Sequence, residues 1–326
     1  MMASKWILRC TLSPGDIVML TAAVRDLHRL HPGRFLTDVR TSCPDLWQNN
    51  PWLTPLTRRD VDVREVECRY PLIERANREP WHFLHGYCHH LSAEMGVSIH
   101  PTEFRGDIHL DEEEKSRPSP VEEHFRGTGP YWLLVAGGKY DYTIKWWHRR
   151  RWQEVVDRMR GEVQFVQVGE MNHYHPRLRG VVDMRGKTSL RELVRLIYRS
   201  DGVLCPVTSV MHLAAAVPVP PGRRGERGCV VVAGGREAPH WESYPWHRFL
   251  HTVGTLPCCA SGGCWKVRSV PLGDGHVNDR PENLCTDFLV ETGLPRCMAD
   301  IEPHMVIQAI RSYRRMSVIQ TSTQDS

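Results

Sequence analysis

Trp6-Ile7-Leu8-Arg9-Cys10, then Ser13-Pro14-Gly15-Asp16, then residues 17–31 with apolar side chains at helical spacing: this opening decides the fold. A short apolar strand runs into a glycine turn and an amphipathic helix. Pro32-Gly33 stops the helix, and Phe35-Leu36-Thr37-Asp38-Val39-Arg40 reads as the next strand. A strand-turn-helix-strand unit closes by a right-handed crossover, so the grammar predicts a parallel, doubly wound α/β sheet. A further helix is expected over 81–95, ended by Gly96. Residues 111–130 then change character: Asp111-Glu112-Glu113-Glu114-Lys115 is charged, and Pro118, Pro120 and Pro130 break the chain. We read that stretch as a linker. Beyond it the grammar restarts, with strands at 131–136, 163–168 and 202–205 and helices at 152–159, 190–199 and 210–216. Residues 218–228 read as a loop. Two Rossmann-like α/β domains in series, 1–125 and 126–326, are the expected architecture.

The composition agrees with that reading. A chain of 326 residues suits two domains, and 41% hydrophobic with 25% charged residues excludes a disordered chain. A formal net charge of +4 is too mild to argue for nucleic acid. The run Trp146-Trp147-His148-Arg149-Arg150-Arg151-Trp152 could stack on bases, but it reads better as the start of an amphipathic helix with tryptophans packed inward. No nucleic-acid partner is expected. The apolar runs are too short to span a bilayer, and only Trp6-Ile7-Leu8 precedes the first arginine, so neither a membrane segment nor a secretory signal is expected and the cytoplasm is the expected compartment.

Eleven cysteines, an odd number, argue against a disulfide framework. Cys10, Cys43, Cys68, Cys88, Cys205 and Cys229 are scattered and read as small buried hydrophobes. Cys258, Cys259, Cys264, Cys285 and Cys297 crowd residues 256–298, where Pro257, Pro271, Pro281 and Pro295 interrupt any apolar period. Four thiolates on such loops make a closed tetrahedral site for structural iron or zinc. Five cysteines compete for four places. The five-residue step to Cys264, with two glycines inside it, favours Cys259 with Cys264, Cys285 and Cys297, leaving Cys258 as the spare. The other reading is a set of reduced or disulfide-bonded thiols without metal.

Several polar residues stand where parallel α/β folds bind ligands, at the carboxyl ends of strands. Asp16 can be a general base or the N-cap of the first helix. Gly137-Gly138-Lys139 and Thr143-Ile144-Lys145 suit a phosphate without forming a Gly-x-x-x-x-Gly-Lys pattern, and equally suit a solvated loop. Glu170, after Gly169, can take ribose hydroxyls or serve a turn. His212 lies in the first turn of an apolar helix, a common place for a packed core histidine.

Taken together, these pieces resemble glycosyltransferase family 9, the bacterial heptosyltransferases that use ADP-heptose. The resemblance rests on Gly15-Asp16-Ile17-Val18-Met19 with Ala22-Ala23-Val24-Arg25, and on Thr143-Ile144-Lys145-Trp146 and Gly169-Glu170. It rests also on Gly186-Lys187-Thr188-Ser189-Leu190 and Met211-His212-Leu213-Ala214-Ala215-Ala216, so that it covers most of residues 5–217. It implies a GT-B fold, two Rossmann-like domains facing a central cleft, with the acceptor on the first and the nucleotide sugar on the second. It implies inverting transfer without a catalytic metal, consistent with the one Asp-x-Asp, Asp60-Val61-Asp62, reading as a turn. By the same resemblance Asp16, beside Gly15, is the base, and Lys145 with Thr143 steadies the leaving diphosphate. Glu170 meets the ribose, Met184, Gly186 and Thr188 lie beside the adenine, and Thr208, Ser209 and His212 contact substrate. The implied partners are a nucleotide-sugar donor, an ADP-sugar, and a glycan or protein hydroxyl, and a homo-oligomer is left open. Val207 and Ser209 depart from the family, which has an acid and a glycine there, so a catalytically degenerate protein is one alternative. A four-cysteine binding module is the other. The cysteine-rich stretch is similar to that of the autotransporter heptosyltransferases, which carry an iron site.

Overall fold

The computed structural model describes residues 3–124, 130–222 and 225–322. The first half holds β1 (Ser4–Cys10), α1 (Pro14–Leu30), β2 (Phe35–Thr41), β3 (Val63–Glu67) and α2 (Phe83–Met95). Its three strands are parallel in the order β2-β1-β3. α1 opens with Pro14 in its first turn, where a missing N–H costs nothing. α2 ends at Gly96, which takes the left-handed φ of 64° that favours glycine. β3 escapes the sequence reading because Val63-Arg64-Glu65-Val66-Glu67 carries two apolar residues only. Asp60 to Asp62 form the turn before it, as expected, with Asp62 at a φ of 60°.

The expected linker is not loose. It folds into α3 (Glu112–Ser116) and α4 (Pro120–His124), and Arg191 clamps Glu114 at 2.5 Å. Arg199 adds hydrogen bonds to the carbonyls of Lys115 and Arg117. The expected boundary between 125 and 126 lies outside the described residues.

The second half holds β4 (Tyr131–Leu134), α5 (Arg149–Arg158), β5 (Gln164–Gln167), β6 (Val182–Asp183), α6 (Leu190–Arg199), β7 (Gly202–Pro206), α7 (Ser209–Ala216), β8 (Gly228–Gly234), α8 (Pro239–Glu242) and β9 (His247–His251). All six strands are parallel, in the order β6-β5-β4-β7-β8-β9. Counted within the half, that is 3-2-1-4-5-6, the order of dinucleotide-binding sheets. β8 is buried throughout, so its near-continuous apolar text fits a strand covered on both faces. The cysteine-rich stretch follows, with a small hairpin of β10 (Phe288–Leu289) and β11 (Leu294–Pro295), then α9 (Arg296–Ala299) and α10 (Pro303–Ser322). Trp147 and Trp152 are buried at the start of α5, and Trp147 Nε1 donates to the Ile301 carbonyl at 3.0 Å, so the tryptophan run is packing. The six scattered cysteines are all buried. Among the described residues no helix is long and apolar enough to cross a membrane.

The halves meet along α1 and α7. α1 is buried from Ile17 to Leu27, more than an amphipathic helix requires, because it covers its own sheet and meets α2 and α7 as well. Gly106 makes the close approach possible: a Cβ there would fall 2.5 Å from Val18 Cγ1 on α1 and 2.9 Å from Ala216 Cβ on α7. An aromatic seam continues the contact, with Phe83 stacked on Trp241 at 5.2 Å and edge-on to Tyr70 at 4.6 Å. Gly106→Ala is expected to cost about 1–3 kcal/mol, the usual penalty of overpacking, read by equilibrium denaturation. An unchanged midpoint would mean the two helices can separate freely.

Candidate active site

Between the halves lies a cleft of about 960 Å³. Its walls are the loops after β1, β4, β5, β7 and β8, at the carboxyl ends of parallel strands. β4 and β7 are the neighbours at which strand order reverses in the second sheet, so the cleft opens where such sheets bind ligands. The loop after β4 is held by reciprocal backbone bonds between Gly138 and Tyr174, at 2.9 and 3.0 Å. Only glycine fits beside them, because a Cβ on Gly137 would sit 1.9 Å from the Tyr174 carbonyl oxygen.

Asp16 stands in the first turn of α1, but Ser13 takes the N-cap position, so Asp16 is not the cap. Burial pushes its carboxyl pKa up; a hydrogen bond from the Tyr70 hydroxyl and the nearby His212 work the other way, and Glu242 adds to the rise. A base that is raised in this way is a better proton acceptor than a free surface carboxylate. His212 lies directly beneath, its Cδ2 3.1 Å from where a Gly15 Cβ would be. Its Nδ1 is 2.9 Å from the Tyr244 hydroxyl, and its Nε2 is 3.2 Å from Glu242 Oε2. Packing and site roles therefore coincide in His212, which is buried yet lines the cleft.

On the facing wall Lys145 Nζ meets Glu237 Oε1 at 2.6 Å, and Arg236 binds the same oxygen. Burial opposes the Glu237 charge, but Arg236 and Lys145 outweigh it and hold the carboxyl below its usual range. Glu170 is largely exposed at the end of β5, 3.4 Å from His173 Nδ1. Gly15, Gly186, Thr188, Thr208 and Ser209 line the cleft with these residues, and so does Val207.

Two expected contacts are placed elsewhere. Met184 is fully buried in the core and does not line the cleft. Thr143 is buried too, its hydroxyl accepting from the Ser269 N–H at 2.9 Å, so it anchors a neighbouring loop. The sequence reading missed Tyr70, Arg236, Glu237, Trp241, Glu242 and Trp265, all in the lining. Their text has no spacing signal; tertiary packing alone gathers them.

The cysteines adjoin this cleft through Trp265, next to Cys264. Among the described residues no three His, Cys, Asp or Glu side chains close on one point at metal-ligand distance. Still, the thiols of Cys258, Cys264, Cys285 and Cys297 each lie within electrostatic reach of the other three. Burial first, with these neighbours adding, pushes the Cys297 thiol up to about 12. Cys259 Sγ donates to the Thr252 carbonyl at 3.5 Å and lies against Gly235 beside Cys297, and Cys258 interacts with it as well as with Cys264.

Comparison with known proteins agrees with the architecture. The family model for glycosyltransferase family 9 (heptosyltransferase) matches residues 73–221. A family 9 glycosyl transferase from Veillonella parvula superposes with a TM-score of 0.63 at 13% identity, covering 95% of this chain and 97% of that one. The dodecameric iron-containing heptosyltransferase TibC of enterotoxigenic E. coli, in complex with ADP-D-β-D-heptose, superposes at 0.62 and 17% identity, covering 96% and 78%. The E. coli ADP-heptose lipopolysaccharide heptosyltransferase II gives 0.54 and 14%, covering 94% and 98%. No curated protein matches by sequence. The fold is that of these heptosyltransferases, GT-B, and residues 73–221 within it resemble family 9.

Beyond His212, His82 and His247 are buried against Tyr244, at ring distances of 5.1 and 4.9 Å. Neither His247 nitrogen nor His82 Nε2 has a partner among the described residues. Burial first, then His212, pushes the His247 pKa down to about 3 and His82 well below its usual value. The fold therefore favours the neutral rings, and the stability they confer is complete above the ordinary histidine value and lost as pH falls below it. From pH 6.5 downward His247 alone should cost about 1.4 kcal/mol per pH unit. Urea denaturation at neutral and mildly acidic pH should show that decline, and His247→Phe should make it shallower. Parallel declines in both proteins would clear His247 of the effect.

Proposed function

We propose that the protein is an inverting glycosyltransferase, moving a heptose-like sugar from an ADP-sugar to a hydroxyl of a glycan or of a protein serine or threonine. The observation that carries this reading is the opposition of Asp16 and Lys145 across one cleft at the strand ends of two facing sheets. The family 9 match supports it, and so does likeness in fold to proteins that handle ADP-heptose. In the proposed step the acceptor oxygen attacks the anomeric carbon from the face opposite the diphosphate. Its proton passes to the Asp16 carboxylate as the bond to the diphosphate oxygen breaks, so the leaving ADP carries away the electron pair. Lys145 stabilises the charge growing there, a cation placed where charge develops in the transition state. Glu170 takes the ribose, with Gly186 and Thr188 near the base, while Thr208 and Ser209 face the sugar. Val207 makes the sugar side apolar where an acid would hold hydroxyls, which favours a donor sugar with fewer hydroxyls at that point. Asp16→Asn should lower turnover by roughly 10²–10⁴-fold. Calorimetry should find ADP affinity unchanged, and a variant keeping half of the wild-type rate would refute the base.

We also infer that one structural iron or zinc is held by thiolates. The chemistry of the donors fits, since four sulfurs in mutual reach suit a closed tetrahedral site. Cys264, Cys285 and Cys297 are the proposed ligands with Cys259, and Cys258 is the alternative to Cys259. Elemental analysis should give about one metal per chain. Cys264→Ser should release it and lower the melting temperature, and of Cys258→Ser and Cys259→Ser only the one that removes a ligand should do the same. Metal-free protein after gentle, reducing purification would overturn the site.

A further inference from the structure

Arg236 is the most elaborately held cation of the cleft, and the reaction written above does not use it. It follows β8, and its guanidinium lies between two aromatic rings, 5.0 Å from the centre of Tyr142 and 5.5 Å from that of Trp265. Its Nε donates to the Lys266 carbonyl at 2.7 Å, and its Nη1 binds Glu237. Nη2 takes no hydrogen-bond partner among the described residues. The backbone is fixed equally firmly: Trp265 N donates to the Arg236 carbonyl at 3.0 Å and Cys264 N to that of Gly235 at 3.1 Å. The cysteine-rich loop thus lies alongside the residues that carry this arginine. Asn77, from the first half, locks the same loop, taking the N–H of Gly263 at 2.9 Å and the Trp265 indole N–H at 2.8 Å.

Lys145 and Arg236 converge on one carboxylate, Glu237, which leaves Arg236 Nη2 for a ligand; Glu242 is the other acid within electrostatic reach of Arg236. A planar guanidinium held over two rings loses little freedom on binding, and its fork matches two oxygens of a phosphate. We propose that Arg236 is a second diphosphate-binding residue, set in place by the cysteine-rich loop, and that its ligand is the diphosphate of a nucleoside diphosphate. This inference rests on the donor reading above. It gives the thiol cluster a role in function: the loop that carries Cys264 also carries the ring and the carbonyl that fix the arginine.

The test compares ADP with adenosine by titration calorimetry on the full chain. Wild type should bind ADP more tightly than adenosine. Arg236→Gln should shrink that ratio by about tenfold while adenosine affinity holds. A wild type that binds both equally would overturn the donor reading, and Arg236 with it. A wild type that prefers ADP, beside an Arg236→Gln variant with the same ratio, would overturn the arginine alone. Should the glutamine variant fail to fold, Arg236→Lys carries the same test: loss of the fork should lower the ratio several-fold, and an unchanged ratio would refute the proposal.

Discussion

The close packing of α1 on α7 is the constraint on which the rest of the molecule depends. Gly106 lets the helices approach, with Val18 on one side and Ala216 on the other. Because α1 begins at the Asp16 turn and α7 at Thr208-Ser209, the same contact fixes the distance between the two loops that face each other across the cleft. The Gly15 turn rests on Ser209 and His212, so the Asp16 turn is seated on the other half of the protein as well as on its own. Burying small residues at this seam stabilises the closed pairing and presents Asp16 to the cleft at once.

Ionisable groups in the cleft are arranged to keep useful charges at tolerable cost. Isolated buried charges are expensive, and each here is answered by a neighbour. Tyr70 and His212 favour the Asp16 carboxylate that burial disfavours. Glu237 survives as an anion because Lys145 and Arg236 converge on it. In return it orients both cations without neutralising the pair. Histidines that lack partners, His82 and His247, stay neutral behind Tyr244, where charge has no counter-ion within the seam.

The cysteine-rich stretch is continuous with this electrostatic wall. Cys264 borders Trp265, which lines the cleft, and Cys297 lies against Gly235, with its Cβ 3.2 Å from where a side chain would start. Asn77 then ties the loop to the first half. Order in those loops therefore reaches the ligand end of the cleft through two or three residues, even though the sequence separates Cys264 from Asp16 by most of the chain.

The sequence by itself determined the element order: β1 with its glycine turn and α1, the stop at Gly96, the restart at Tyr131, and α6 over the residues expected. Strong apolar periodicity and turn chemistry are local, so they are readable without the fold. It also pointed to loops that line the cleft, since Asp16, Lys145, Glu170, Thr188, Ser209 and His212 all stand in connections that follow strands. Tertiary structure alone decided the rest. β3 and β9 have weak apolar text and become strands because a neighbour supplies their hydrogen bonds. Met184 and Thr143 turn into the core because their side chains face the packed layer. Tyr70, Arg236, Glu237 and Glu242 enter the cleft because folding brings distant segments within a few ångströms, and no local spacing records that distance.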